Sequence, residues 1–268
     1  MVLHLSRKRI VLLFSGIMAA FGIGVSIIII AVNGGFSGPG PSLFNPPTAS
    51  NIWVVGGNIH PGTILNYSLT RIGTHDSPWS SLGLNSSLIN SFVSVQFAED
   101  RMNGVPNNNN WKVTFQVLNG TKPATLTTST QHVSSNIKSK QGTVFLSKQQ
   151  LTNAASHSIS QDFILYYEPI ESSILEIRDI ALQPEYLVIG AEWNSISVNI
   201  ATIPVKVVAQ ERIYTNAGTF NTFVLAYTIG SKTSRIWIDQ QLPLPVKAQV
   251  YNTQNQLQYE YILVAYKK

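Results

Sequence analysis

The sequence predicts a mainly β protein. An N-terminal transmembrane helix is followed by an antiparallel curved sheet, or a partly open β-barrel, with one or two short helices. Three observations carry this. Ile10 to Val32 runs for 23 residues without a charged side chain. From residue 51 onward the apolar pattern changes to period two, the repeat of a half-buried strand. In the last quarter, five strand-length runs follow one another with short connections, which forces antiparallel neighbours and a meander.

The apolar run comes first. At 1.5 Å rise per residue it reaches roughly 34 Å as a helix, enough for the ~30 Å hydrocarbon core of a bilayer. Arg7, Lys8 and Arg9 precede it, and residues 33 to 50 carry no charge, so the positive-inside bias keeps residues 1–9 cytoplasmic and places the rest outside. A cleaved signal peptide, cut after Ser37, is the rival reading, but its apolar region is normally ~7–15 residues. Gly16, Ala20 and Gly24 repeat at four-residue spacing, a small-residue face through which two such helices pack as a homodimer. Residues 33–50 hold Pro39, Pro41, Pro46 and Pro47 among glycines, a composition that neither propagates a helix nor joins a sheet and therefore reads as a tether. The extracytoplasmic β domain is 51–268, with a subdivision possible near 150.

Composition narrows the function. Three of the 18 Lys and Arg lie in the cytoplasmic tip, leaving 15 against 13 acids outside. That balance does not fit a nucleic-acid binder, which needs clustered positive charge. There is no cysteine, so the domain has no disulfides and relies on burial and hydrogen bonding in a sizeable core. Asn66, Asn85 and Asn119 each head an N-glycosylation triplet, which has meaning on an exported chain.

Along the domain, residues 64–70 alternate Leu65, Tyr67 and Leu69 against polar neighbours. Residues 71–88 read as a polar loop. Strands are expected at Phe92 to Ala98 and Trp111 to Leu118, with Glu99 to Asn110 as an exposed hairpin loop. Thr121 to Gly142 reads as an edge-strand pair or a loop. Ser147 and Gln150 form a capping box, with Leu146 and Leu151 at the staple positions, which predicts a short helix over Lys148 to Ala155. Ile159 to Glu168 is apolar enough for a strand buried on both faces, and Ile174 to Ile180 and Tyr186 to Ile189 continue the series. The final five runs are Val205 to Tyr214, Thr219 to Thr228, Thr233 to Asp239, Val246 to Asn252 and Leu257 to Tyr266.

In that last quarter, Ala217-Gly218-Thr219-Phe220, the aromatic strand ending at Tyr227, Arg235-Ile236-Trp237-Ile238-Asp239, Leu242-Pro243-Leu244-Pro245-Val246-Lys247 and the final strand through Tyr259 form one cadence. It resembles the end of exported half-barrel proteins related to bacterial lipoprotein carriers and to uncharacterised periplasmic β-barrel families. The resemblance implies a strongly curved antiparallel sheet round an apolar cavity closed by short helices, with Phe220, Tyr227 and Trp237 as candidate ligand contacts. The membrane anchor and the small number of helical segments depart from that pattern. Turn and packing chemistry accounts for the same residues without the family: Gly218 supplies a positive φ, and Pro243 and Pro245 stiffen an extended connector.

Motifs for chemistry are sparse. The histidines have no metal-ligand spacing, and no GxSxG, P-loop or GxGxxG occurs, so neither metal nor cofactor is expected. His75-Asp76 is the one pair suited to a hydrolase, and it needs a further Ser or acid in the same cleft. Glu99-Asp100 lacks the alternating acids of a calcium loop. Trp79, after Pro78 in a polar loop, is the candidate exposed aromatic for ligand stacking. The function expected is a non-enzymatic, single-pass envelope protein binding a lipophilic ligand or an envelope partner on a curved sheet. The alternatives are a structural or adhesive glycosylated surface protein, a hydrolase, and an accessory subunit recruited through its anchor.

Overall fold

The computed structural model describes residues 51–72, 88–119, 138–154, 159–198 and 201–268. The anchor, the Gly16–Ala20–Gly24 face, the tether, Asn85, His75, Asp76 and Trp79 lie outside the described residues.

The main sheet has ten strands. In chain order the strands are β1 (Ile52–Trp53), β2 (Ile64–Ile72), β3 (Leu88–Met102), β4 (Val105–Asn119), β5 (Lys138–Ser147), β6 (Glu185–Tyr186), β7 (Glu192–Val198), β8 (Ala201–Thr215), β9 (Gly218–Thr228), β10 (Thr233–Asp239), β11 (Lys247–Tyr251) and β12 (Leu257–Lys267). The sheet order is β5-β4-β3-β2-β12-β11-β10-β9-β8-β7, and β1 pairs separately with β6. Every pairing is antiparallel. The five-strand meander expected in the last quarter is present as β8 to β12. Register shifts interrupt five ladders: β3–β4 at Glu99/Arg101, and β7–β8, β8–β9, β11–β12 and β12–β2. Such bulges bend a strand and increase its twist, which curves the sheet.

Alternation decides what is inside. Leu65, Tyr67 and Leu69 of β2 are buried, as are Val93, Val95 and Phe97 of β3 and Val113, Phe115 and Val117 of β4, all on one face. The chain leaves the sheet at one edge, β5, and re-enters at the other, β7. The connection between them therefore has to cross a face, and it crosses the apolar one. It carries α1 (Gln161–Glu171) and α2 (Ile177–Ile180), and Phe163, Tyr167, Ile170, Ile174, Leu175, Ile177 and Ile180 join the sheet residues in one core.

Four expectations are corrected. Residues 159–168 form no strand but the start of α1, because Phe163, Tyr167 and Ile170 are the buried set, at i, i+4 and i+7, the spacing of one helix face. Residues 174–180 form turns and α2 instead of a strand. Residues 99–110 are not a loop: β3 and β4 continue to a tight turn at Asn103 and Gly104, both with positive φ of 53° and 82°, the Asn-Gly chemistry of a two-residue hairpin. The capping box at Ser147 starts a single turn rather than a helix. Leu151 N–H reaches Ser147 O at 3.0 Å, but Leu151 has φ of 54°, and the chain reverses so that Ala154 N–H bonds Phe145 O at 2.8 Å.

Candidate functional site

The residues that fill the concave face are the first part of the site. Phe163 lies so close to Gly142 of β5 that a Cβ added there would stand 2.1 Å from its ring. Tyr167 meets Phe115 edge-on with ring centroids 5.5 Å apart, and its hydroxyl donates to Asn153 Oδ1 at 2.6 Å. Burial and the nearby Glu171 carboxylate push that hydroxyl up to about 12. Arg178 donates to Leu151 O at 3.0 Å and also bonds Glu171. The connection is thus held to the β5 edge by packing and by one buried cationic hub.

At the centre of the sheet a polar cluster lies under the connection. Arg71 of β2 and Tyr259 of β12 are cross-strand partners, Val250 of β11 pairs with Tyr259, and Ser234 of β10 pairs with Tyr227 of β9. Paired residues share a face, so Arg71, Tyr259, Tyr227 and Ser234 all line the concave side. Glu176 comes from the connection, and the Tyr259 hydroxyl donates to its Oε2. Desolvation is the main influence on Glu176 and Asp179 adds to it; the Tyr259 hydrogen bond and Arg71 oppose them, and the carboxyl ends at about 7. Arg71 Nη1 also donates to Ser172 Oγ at 3.1 Å. Burial raises the Tyr227, Tyr259 and Tyr261 hydroxyls, each with Glu176 as a further raising influence. The raised Glu176 carboxyl thus lies inside the interface between the connection and the sheet.

The second end of the concave face is closed by the β10–β11 connector. Leu242, Leu244 and Val246 are buried, Trp53 Nε1 donates to Leu242 O at 2.9 Å, and Tyr67 donates to Pro245 O at 3.1 Å. Trp53 stacks on Trp193 at 5.8 Å. Nearby on β6, burial brings Glu185 to about 7.

The candidate ligand residues do not converge. Tyr227 is on the concave face, buried and hydrogen-bonded to Ser234. Trp237 pairs with Val224 and Lys247 and points to the opposite face, where its indole donates to Glu211 Oε2 at 2.7 Å and the Lys247 ammonium sits 4.9 Å from the ring centroid. Phe220 is half-buried near the start of β9. Asn66 lies within β2 with its side-chain oxygen buried, and Asn119 ends β4. Among the described residues, no three His, Asp or Glu side chains form a group suited to a metal ion, and no helix is long and apolar enough to cross a membrane.

Sequence reasoning did not single out Arg71 or Glu176. Arg71 was detectable: it continues the Leu65, Tyr67, Leu69 parity, so a charge falls on the buried face. Glu176, an acid inside Ile174-Leu175-Glu176-Ile177, carries the same signal, but its partner strand depends on the crossing of the sheet.

No family model matches the chain, and no curated protein does. Solved structures do. An exported protein with a YmcC-like fold from Bacteroides fragilis aligns at 12% identity over 81% of this chain and 99% of its own, with a TM-score of 0.32. A lipoprotein from Parabacteroides distasonis aligns at 13% identity over 80% of this chain and 99% of its own, with a TM-score of 0.33. MucB, in complex with MucA(peri), aligns at 12% identity over 77% of this chain and 49% of its own, with a TM-score of 0.32.

Proposed function

We propose that this chain is an extracytoplasmic, non-enzymatic envelope protein, tethered through residues 10–32, whose curved sheet engages a protein partner. The apolar run behind Arg7, Lys8 and Arg9 and the Pro- and Gly-rich tether support the placement. The observation that carries the choice of partner is the filling of the concave face. In a half-barrel carrier that face holds the lipophilic molecule; here the chain's own connection occupies it, with Phe163, Tyr167, Ile170, Ile174, Leu175 and Ile177 at most 2% exposed. Among the described residues, the three most exposed large apolar side chains sit at hairpin ends: Met102 and Val105 at 61% and 66% exposure, and Tyr214 at 72%. Isolated exposed apolar residues are ordinary, but paired at a protruding tip they suit contact with another surface.

The test places a photo-crosslinking amino acid at Met102 or Tyr214 of the full chain in its own membranes, with Tyr67, in the core, as control. The expected result is a discrete crosslinked protein from one of the tips and none from Tyr67. A lipophilic mass that copurifies with the protein and is released by organic solvent overturns this reading in favour of a carrier. A structural or adhesive role, also supported by the exposed tips, predicts crosslinks to wall polymer rather than to one protein.

A further inference from the structure

The strands of the main sheet form one continuous hydrogen-bonded ladder, but the connection that crosses them stays outside it. Among the described residues, every backbone hydrogen bond made by residues 161–181 closes within the connection, from Ser160 onward. Side chains fasten it to its surroundings. The Tyr259 hydroxyl donates to Glu176, Arg71 to Ser172 Oγ, Tyr167 to Asn153 Oδ1, Arg178 to Leu151 O and the Asn194 amide to Asp179 O. Packing of Tyr167 on Phe115 and of Phe163 over Gly142 completes the attachment. A segment held in this way leaves the sheet without breaking one ladder bond, which is the condition for opening below the free energy of global unfolding.

Two of these fastenings reach the centre of the sheet, and both grip the same bend. Ser172 and Glu176 bound the link between α1 and α2, and Arg71 and Tyr259, which hold them, are register partners on β2 and β12. Glu176 is met there from each strand beneath it. Arg71 is the cation facing it, Tyr259 and Tyr261 approach from β12 and Tyr227 from β9. On this face β10 and β11 bring Ser234 and Val250, which carry no charge. On the connection itself Asp179 adds a like charge, and Arg178 is taken up by Glu171.

We infer that residues 161–181 form a strap that opens from the concave face as one unit while the sheet stays folded, and that the Glu176 carboxyl at its bend makes this opening respond to pH. Closed, the carboxyl sits among Tyr227, Tyr259 and Tyr261, where desolvation holds its proton up to about 7. Open, it faces water and releases that proton near ~4.3. Between those values opening therefore releases a proton. The strap is most firmly closed at acid pH, opens more as pH rises through roughly 4.5 to 7, and changes little above that. This inference stands apart from the partner-binding reading, because it concerns the concave face and not the hairpin tips.

Hydrogen–deuterium exchange of the full chain in detergent tests it at pH 5 and pH 8, read peptide by peptide and corrected for the intrinsic effect of pH on exchange. The expected result is a loss of protection of about tenfold or more across 161–181 at pH 8, unmatched in β2, β3 and β9. Glu176→Gln should lose most of that change, whereas Asp179→Asn, at an exposed carboxylate, should keep most of it. Tyr259→Phe removes the hydroxyl and keeps the ring, and should loosen the strap about fivefold at pH 5 with the strands unaffected. Circular dichroism checks that each variant folds, and the parent's own pH comparison needs no variant. Exchange of strap and strands together, equal protection of the strap at both pH values, a pH effect that Glu176→Gln retains, or strands loosened as much as the strap by Tyr259→Phe overturns the inference.

Discussion

The Tyr259 hydroxyl, in the middle of the sheet, donates its hydrogen bond to Glu176 on the connection that crosses the concave face. The bond ties the two layers at a carboxyl that burial has brought to about 7. An unfolded glutamate releases its proton near ~4.3. Between those values the folded chain holds a proton that the unfolded chain has lost, so stability is greatest at acid pH and falls as pH rises through roughly 4.5 to 7. Glu185, also at about 7 through burial, acts in the same direction. For Glu176 the change is on the order of 3 kcal/mol, and for Glu185, which solvent screens more, it is smaller. Denaturant unfolding from pH 4.5 to 8 should show this decline, and Glu176→Gln should remove a large part of it and be the more stable protein at pH 8. An unchanged slope in Glu176→Gln would show that Glu176 is not the titrating group.

Gly142 and Phe163 set the distance between β5 and α1. A Cβ at Gly142 has no room, since three ring atoms stand 2.1 to 2.6 Å from it. Gly142→Ala should cost about 1–3 kcal/mol by overpacking, and Phe163→Ala about 3–5 kcal/mol through the cavity it leaves. Together they should cost less than their sum, because the methyl enters space that the ring vacated. A double-mutant cycle in urea reads the coupling; strict additivity would mean that ring and glycine do not meet.

Arg178 is 10% exposed and spans two elements, bonding Leu151 O beyond β5 and Glu171 at the end of α1. Arg178→Ala leaves the Glu171 carboxylate without its cationic partner, with the Asn153 amide still donating to it, and should cost about 2–4 kcal/mol. Arg178→Lys should recover less than half of that, because one ammonium cannot reproduce the forked guanidinium geometry. Chemical denaturation midpoints at pH 7 compare the three proteins.

What could be seen in the sequence followed the range of the interaction. The strands from Val205 onward repeat every second residue and are joined by short turns, so their order and pairing were local information. The hairpin of β3 and β4 was half visible: its Asn103-Gly104 turn is a strong signal, but Pro106 and the four asparagines that follow read as loop although they lie in β4. The helix α1 was hidden because Ile164, Leu165 and Tyr166 interrupt the buried positions Phe163 and Tyr167 with further apolar side chains, which flattens the helical period into a continuous run. The Glu176 cluster was beyond local reading, since its members come from β2, the connection and β12, which meet only because the chain returns to the sheet at its far edge.

The turn at Asn103-Gly104 gives a glycine whose role is opposite to that of Gly142. Gly104 has φ of 82° and nothing within 4 Å of where a Cβ would stand, so any cost of Gly104→Ala comes from the backbone alone, about 1–2 kcal/mol for a left-handed alanine. Asn103 already tolerates that region at φ of 53°, and Asn103→Gly should be within about 0.5 kcal/mol of the parent. Removing a neighbouring side chain should relieve Gly142→Ala but leave Gly104→Ala unrelieved; of Met102 and Val105, truncation of either to Ala should add no recovery in the urea midpoint. Recovery with Met102→Ala would mean that the turn is held by side-chain crowding, and the backbone account of this hairpin would fail.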